Sequence, residues 1–427
     1  MTKNDLELRI ESMAFGGKGI ARKDGMVYFV QNAIEGDLVW GDVVGGKKRY
    51  SEVISREVLQ ASPYRVEPPC AIQSSCGGCQ LMIAQYPRQL LWKKQFIEAA
   101  FQRIGKQEVS IEQVVPSPSA TGYRNRILLR ALCAGPTLKL GYISRDQRTV
   151  VPLPGTCSIA EPGINKVLQE ISRIQLNPSW DGCQFRIQLQ RLSHRESSLE
   201  MIAILLYRDE GPKAKLFEIA DFLRQELSNV WVGFANEAHS APTFEYDHID
   251  GIRYLSKPGI FQQVNRAANA LVLASVQRHL KEALPARVLD LCCGSGNLSL
   301  QAAKEGVQVT GVESNPLSIA VAKENLKENF ITSAEYFAQD SLRFLHNLKK
   351  ESYDLILIDP PREGLKEGMN DLKRSGAKQL IYLSCDPATL ARDIAMLAPV
   401  YQVKKAEAYD FFPHTWHVET LLFLEKS

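Results

Sequence analysis

The second half of the chain is governed by an alternation. Short apolar runs that read as strands recur at residues 287–291, 307–312, 336–339, 353–358, 379–384, 401–408 and 419–424, with helical stretches between most of them. Strands separated by helices imply crossover connections, and those demand a doubly wound, mainly parallel sheet. A sheet of that kind receives ligands beyond the carboxyl ends of its strands. The chemistry of this α/β unit is therefore expected in the loops that follow the strands.

The first half has a different texture. At 427 residues and roughly 150 residues per domain, about three domains are expected. Residues 5–11 alternate apolar and charged side chains, the period of a half-buried strand, and apolar pieces follow at 26–30, 37–44 and 50–54 between glycine-bearing turns. Short strands at that spacing predict a small β-barrel over residues 1–57. Ala61-Ser62-Pro63 and Glu67-Pro68-Pro69 read as a linker into Cys70-x5-Cys76-Gly77-Gly78-Cys79. Residues 58–247 read as a mixed α+β region with strands at 127–132, 185–192 and 200–207 and a helix over 213–227. An earlier helix, about 87–104, is expected to pack on the alternating domain, which begins at 248.

The composition, 45% hydrophobic and 23% charged, is that of an ordinary globular protein. The longest apolar run, 201–207, is far short of the roughly 20 residues of a membrane span, so no membrane partner is expected. The opening residues put acidic side chains where an export signal needs an apolar stretch, so a cytoplasmic location is the expectation. Nine cysteines, three of them within ten residues, suit metal or catalytic use better than a disulfide framework. Net charge is only +3, but residues 80–150 hold eleven Lys and Arg against four Asp and Glu. That excess suits a polyanionic partner.

Each strand end then carries a polar group. The first leads into Cys292-Cys293-Gly294-Ser295-Gly296-Asn297, a turn that lets a cofactor approach the backbone, although Ser299 stands where a dinucleotide fingerprint has its last glycine. Glu313 ends the second, placed to accept hydrogen bonds from a ribose diol, and Asp340 the third, placed for an adenine amino group. The fourth ends in Asp359-Pro360-Pro361-Arg362, where two prolines stiffen the loop behind a carboxylate. Asp-Pro-Pro loops are familiar in methyltransferases that act on exocyclic nitrogen. The fifth ends in Ser384-Cys385-Asp386-Pro387. A lone cysteine in an apolar run is ordinarily core, but here a helix N-terminus after Cys385 is expected to favour thiolate, and it reads as a nucleophile. Before the last strand, Glu419 follows two histidines and several aromatics, surroundings expected to raise its pKa into the range of a general base.

The cysteine cluster lacks a fourth ligand, and no second Cys-x2-Cys or His-x3-His pair completes an ordinary zinc site. Cys133 lies within a strand-like run. Cys157, after Pro154-Gly155-Thr156, sits in a loop that can present a thiolate, and Cys183 is its rival.

Taken in order, the cysteine motif, Phe261-Gln262-Gln263-Val264-Asn265, residues 290–297, Asp359-Pro360-Pro361-Arg362, Ser384-Cys385-Asp386-Pro387 and His417-Val418-Glu419 resemble the RNA 5-methyluridine methyltransferases, most closely their iron-sulfur, 23S ribosomal RNA branch. The resemblance covers the whole chain, because residues 1–57 resemble a TRAM domain, an RNA-binding barrel of the oligonucleotide-binding (OB) type. It implies a Rossmann-like domain in which Gln263, Asn297, Glu313, Asp340 and Asp359 contact S-adenosylmethionine, with backbone contributions from Cys292 and Gly294. Cys292 departs from the family pattern, where phenylalanine is common. The resemblance also implies Cys385 as nucleophile, Glu419 as base, and a 4Fe-4S cluster on Cys70, Cys76, Cys79 and Cys157; zinc is the alternative. The implied partner is RNA, its target uridine unpaired or flipped out, and the implied state a monomer. A transfer RNA substrate, an exocyclic-amine methyltransferase and a non-catalytic RNA-binding assembly factor are the alternatives.

Overall fold

The computed structural model describes residues 6–197, 199–209 and 213–427, which build three sheets. The first follows the path Leu6–Arg9, Leu38–Lys47, Tyr50–Gln60, Met26–Gln31, Gly19–Lys23, Ser12–Met13. Its two ends are consecutive in the chain. Ile10 N–H donates to Asp37 O and Glu11 N–H to Ile20 O, so the sheet curls until one bent strand closes both edges. Leu8, Ile10, Ala21, Val30, Val39 and Val53 fill its interior. The last strand runs to Gln60, three residues past the expected boundary at 57. Asp5, at the start of the expected alternation, lies outside the described residues.

The second sheet runs Val150–Pro152, Thr137–Ile143, Arg126–Ala134, Gln184–Ser193, Glu200–Arg208, Val230–Phe234. Helices Pro162–Ile171 and Lys213–Glu226 cover one of its faces through Ile164, Leu168, Ile219 and Leu223. A hairpin, Phe244–Ile249 with Ile252–Ser256, pairs back onto the Gln184–Ser193 strand. The boundary expected at 247–248 falls inside this hairpin, so by strand pairing the central sheet extends to Ser256. Neither the hairpin nor the strands at 137–143, 150–152 and 230–234 were evident from the sequence pattern.

The third sheet contains all seven strands expected after Phe261, in the order Ala334–Ala338, Gln308–Glu313, Arg287–Leu291, Leu355–Ile358, Gln379–Ser384, Glu419–Lys426, Tyr401–Tyr409. The first five are parallel, and Glu419–Lys426 is inserted antiparallel. Leu355–Ile358 is apolar throughout because helices bury both of its faces. Chain direction in the order reverses beside Arg287–Leu291, the place where such sheets bind ligands. A strand from upstream, Val114–Val115, extends the edge beside Tyr401–Tyr409. The helix Tyr86–Ala100 continues into a wider turn, Phe101–Gly105, and buries Ile97 and Phe101 beside Leu390 and Ala391. Residues 86–115 are thus packed into the third unit although they precede the second in the chain. No helix among the described residues is long and apolar enough to cross a membrane.

Candidate active site

The strand register brings the chemistry together. Ser384 pairs with Thr420 across antiparallel strands, so the next residues outward, Cys385 and Glu419, face each other at the sheet edge. Ile358 pairs with Tyr382 on the other side, which puts Asp359 at the same edge. Asp386 caps the helix Pro387–Leu397, its carboxylate accepting from Ala388 N–H at 2.9 Å and Thr389 N–H at 3.0 Å. The helix start expected after Cys385 is present, but its effect on the thiol is outweighed. Burial, with the Glu419 carboxylate next, pushes the Cys385 thiol up to about 12, against the opposing pull of the Arg362 guanidinium. The expectation of a ready thiolate is corrected accordingly.

Glu419 is buried, 4% exposed. Burial and the nearby Asp359 raise its carboxyl to about 8, and Arg362 opposes the rise. His417 goes the other way, down to about 3, through burial and the cations Arg362, Lys93 and Arg124. It is a neutral ring and a poor base at ordinary pH. Arg362 therefore acts on the Cys385 thiol, the Glu419 carboxyl and the His417 ring together. Its place in the Asp-Pro-Pro-Arg motif was visible in the sequence, but its role was not.

The turn after Arg287–Leu291 is built from left-handed backbone: Cys292 at φ 59°, Gly294 at 55° and Gly296 at 91°. Cys292 is not a glycine, and its N–H is held by Ser341 Oγ at 3.3 Å. A Cβ added at Gly294 would meet nothing within 4 Å, so the turn stands open. Gly294 N–H donates to Glu313 at 3.4 Å, and Asn297 exchanges hydrogen bonds with Asn269 at 2.9 and 3.0 Å. Asp340 sits at its expected strand end but caps the helix Ser341–His346, accepting from Arg343 N–H at 2.7 Å. Gln263 is buried, and its main-chain carbonyl receives Asn125 at 3.0 Å and Tyr246 at 2.5 Å. Asp290, which was not among the expected ligands, is fully buried with Oδ1 unpartnered while Oδ2 accepts from Ser299 at 2.5 Å. Burial raises Asp290 and Asp359 to about 7 each, with Glu313 adding to both. Carboxyls crowded at one sheet edge around an open glycine turn fit a cationic ligand with a diol, the chemistry of S-adenosylmethionine.

Cys70, Cys76, Cys79 and Cys157 line a single cavity of about 540 Å³ with Arg124 and Arg145. Cys133, on the strand Arg126–Ala134, and Cys183, just before its partner strand Gln184–Ser193, face each other elsewhere, Cys133 N–H donating to Cys183 O at 3.0 Å. None of the nine cysteines is paired in a disulfide. Burial, reinforced by the neighbouring cysteines, raises Cys76 and brings Cys79 to about 12. Among the described residues no group of three or more His, Cys, Asp or Glu is arranged to hold a metal ion as it stands. The expected metal set is thus gathered around one cavity without forming a closed single-ion site.

Fold and site together define a Rossmann-like methyltransferase unit. The chain matches the family model described as tRNA (Uracil-5-)-methyltransferase over residues 85–427, and it belongs to that family. It is 30% identical to a protein of Shewanella amazonensis named 23S rRNA (uracil(1939)-C(5))-methyltransferase RlmD, over 98% of this chain and 95% of that one. A protein of the same name from Pseudomonas entomophila is also 30% identical, over 98% and 93%. The crystal structure of Pyrococcus abyssi tRNA (uracil-54, C5)-methyltransferase with S-adenosyl-L-homocysteine superposes with a TM-score of 0.73, covering 98% of this chain and 99% of that one at 22% identity. At that identity the likeness speaks for the fold.

Proposed function

We propose that this protein is a cytoplasmic enzyme that methylates carbon 5 of a uridine in 23S ribosomal RNA, with Cys385 as nucleophile and Glu419 as base. The observation that carries the reading is the opposition of Cys385 and Glu419 across paired strands, beside Asp359 and Arg362. Carbon 5 of uracil is a weak nucleophile, so covalent assistance is needed. When bound at Gln263, Cys292, Gly294, Asn297, Glu313, Asp340 and Asp359, S-adenosylmethionine supplies an electrophilic methyl group. The Cys385 thiol gives up its proton to solvent, and the Arg362 guanidinium stabilises the thiolate. The sulfur then bonds carbon 6, which shifts the C5=C6 electron pair onto carbon 5 and the adjoining carbonyl. Carbon 5 takes the methyl as the methyl's bond to the sulfonium sulfur breaks, leaving the neutral thioether S-adenosylhomocysteine. Glu419 removes the carbon 5 proton, the freed pair restores C5=C6, the C6–S bond breaks, and Cys385 leaves as thiolate. The neutral His417 ring makes Glu419 the better base. An exocyclic-amine methyltransferase would leave this pair without a task.

The closed sheet of residues 6–60 is read as a TRAM-type, OB-like RNA-binding barrel, and the protein as a monomer. The four cysteines of the cavity would hold a 4Fe-4S cluster by all-thiolate ligation. Methyl transfer moves no electrons, so the cluster's part is to tie together the segments at 70–79 and 157.

A base that acts after methyl transfer leaves a distinctive failure when it is removed. With labelled methyl donor and 23S ribosomal RNA, Glu419→Gln should hold the label in a protein–RNA band that survives denaturing electrophoresis. The Cys385→Ala/Glu419→Gln double variant should show none. Turnover by Glu419→Gln near the wild-type rate would overturn the assignment of the base.

A further inference from the structure

The connection 410–418, between the strands Tyr401–Tyr409 and Glu419–Lys426, delivers Glu419 to the site. Four successive carbonyls in it are held by donors from four separate places. Asn265 Nδ2 donates to Phe411 O at 3.1 Å, Lys93 Nζ to Phe412 O at 3.0 Å, Tyr123 OH to Pro413 O at 3.2 Å, and Leu81 N–H to His414 O at 2.8 Å. Gln89 adds two bonds to His414, which sits at φ 69°, a left-handed conformation that persists only when its surroundings impose it. The charged member of this set is Lys93. Its ammonium, buried within the helix Tyr86–Ala100, also pairs with the fully buried Asp410 at 2.6 Å. Asp410 in turn accepts from Phe412 N–H at 3.0 Å, so one ion pair fixes the direction in which the connection leaves the sheet.

An apolar pair of similar volume would serve stability as well, because desolvating two charges offsets most of their attraction. What an ammonium bridging a carboxylate and a carbonyl adds is direction. We propose that Lys93 is a positioning residue for the proton-removal step, pinning the 410–418 connection through Asp410 and Phe412 so that Glu419 meets carbon 5 of the covalent adduct. The proposal rests on the Cys385 and Glu419 reading above. Misplacing a reacting group by about 1 Å costs on the order of 100-fold, so loss of the pin should slow that step while earlier ones proceed.

The test uses the full-length protein and transcribed 23S ribosomal RNA made with uridine or with 5-fluorouridine. Fluorine cannot leave carbon 5 as a cation, so 5-fluorouridine RNA should be trapped as adduct whether or not the base is in place. Lys93→Met should trap it at the wild-type rate and bind S-adenosylhomocysteine within about 3-fold of wild type, yet turn over uridine RNA at least about 10-fold more slowly. During that slow turnover the labelled adduct should accumulate. The double variant Lys93→Met/Asp410→Leu removes both buried charges; it should recover the wild-type melting temperature and still accumulate adduct. Recovery of wild-type turnover by the double variant would reduce the pair to a stabilising contact and overturn the proposal. So would trapping of 5-fluorouridine RNA by Lys93→Met that is slowed as much as its turnover. Absence of trapping by the wild type would instead remove the Cys385 reading, and this proposal with it.

Discussion

Glu419 occupies a site that works against folding. Its carboxyl is raised from an ordinary 4.5 to about 8 by burial and by Asp359, so the folded protein binds its proton more tightly than the unfolded chain does. For an acid shifted upward, stability is lost as pH rises from the unfolded value through the folded one. Glu419→Gln removes this penalty. Its melting temperature should exceed that of wild type by several degrees at pH 8.5, and the two should converge below pH 4.5, where wild-type Glu419 is neutral in both states. Equal melting temperatures at both pH values would show that the carboxyl is not raised. With Glu419 as the proposed base, the same shift orders the activity, since only the carboxylate could take the carbon 5 proton. The rate of adduct resolution should climb between about pH 7 and 9 and lose that climb in Glu419→Gln. A rate that falls over this interval would rule out a buried carboxylate as base. The raised carboxyl of Glu419 was legible in the sequence, but the state of Cys385 was not, since the sequence pointed to a thiolate there. The thiol lies under the same burial and beside the same carboxylate, and no local motif announces either.

At the scale of elements, strands were easier to read than their order. The run at 379–384 is apolar to its end and stops at Cys385-Asp386-Pro387, so both its limits matched the structure. The two-residue strand Val114–Val115 and the hairpin at 244–256 carry too short a period to be seen. The meeting of Cys385 and Glu419 depends on Glu419–Lys426 entering antiparallel between two earlier strands, a tertiary fact. The cysteine loops make a comparable case. Spacing alone left Cys157 and Cys183 as rivals, and folding puts Cys157 in the cavity with Cys70, Cys76 and Cys79 while Cys183 faces Cys133. If these four hold the proposed 4Fe-4S cluster, the purified protein should be brown, and Cys157→Ser should lose iron and colour as completely as Cys76→Ser does. Cys133→Ser and Cys183→Ser should keep both. Iron analysis decides the matter: loss in Cys183→Ser with retention in Cys157→Ser would reverse the ligand assignment, and zinc in place of iron would refute the cluster.

Across the whole molecule, the barrel is joined to the catalytic unit by more than its linker. Met13 and Ile34 share a core with Leu81, Ile83, Trp92 and Phe96, the last two from the helix that carries Lys93. Trp92 Nε1 donates to Glu35 at 2.7 Å, and Arg88 pairs with the same carboxylate at 2.7 Å. Phe15 packs edge-on against Trp416, which lies 3.7 Å from His417. Removing residues 1–60 would uncover Trp92 and Phe96, so deletion confounds RNA binding with placement of the catalytic helix. The two are separable at the far end of the barrel. There the hairpin between Leu38–Lys47 and Tyr50–Gln60 projects an exposed tip, Lys47, Lys48 and Arg49, away from that shared core. Every phosphate that a Lys or Arg ceases to neutralise lowers the slope of log affinity against log salt by about 0.7 to 0.9. Lys47→Ala/Lys48→Ala/Arg49→Ala should weaken RNA binding at low salt and flatten that slope by about 2 if the tip grips the backbone. Melting temperature, S-adenosylhomocysteine affinity and the rate of adduct resolution should stay at wild-type values. An unchanged slope would move the RNA grip to another surface, with the central sheet's open face around Leu128, Arg130 and Arg186 next to be tested.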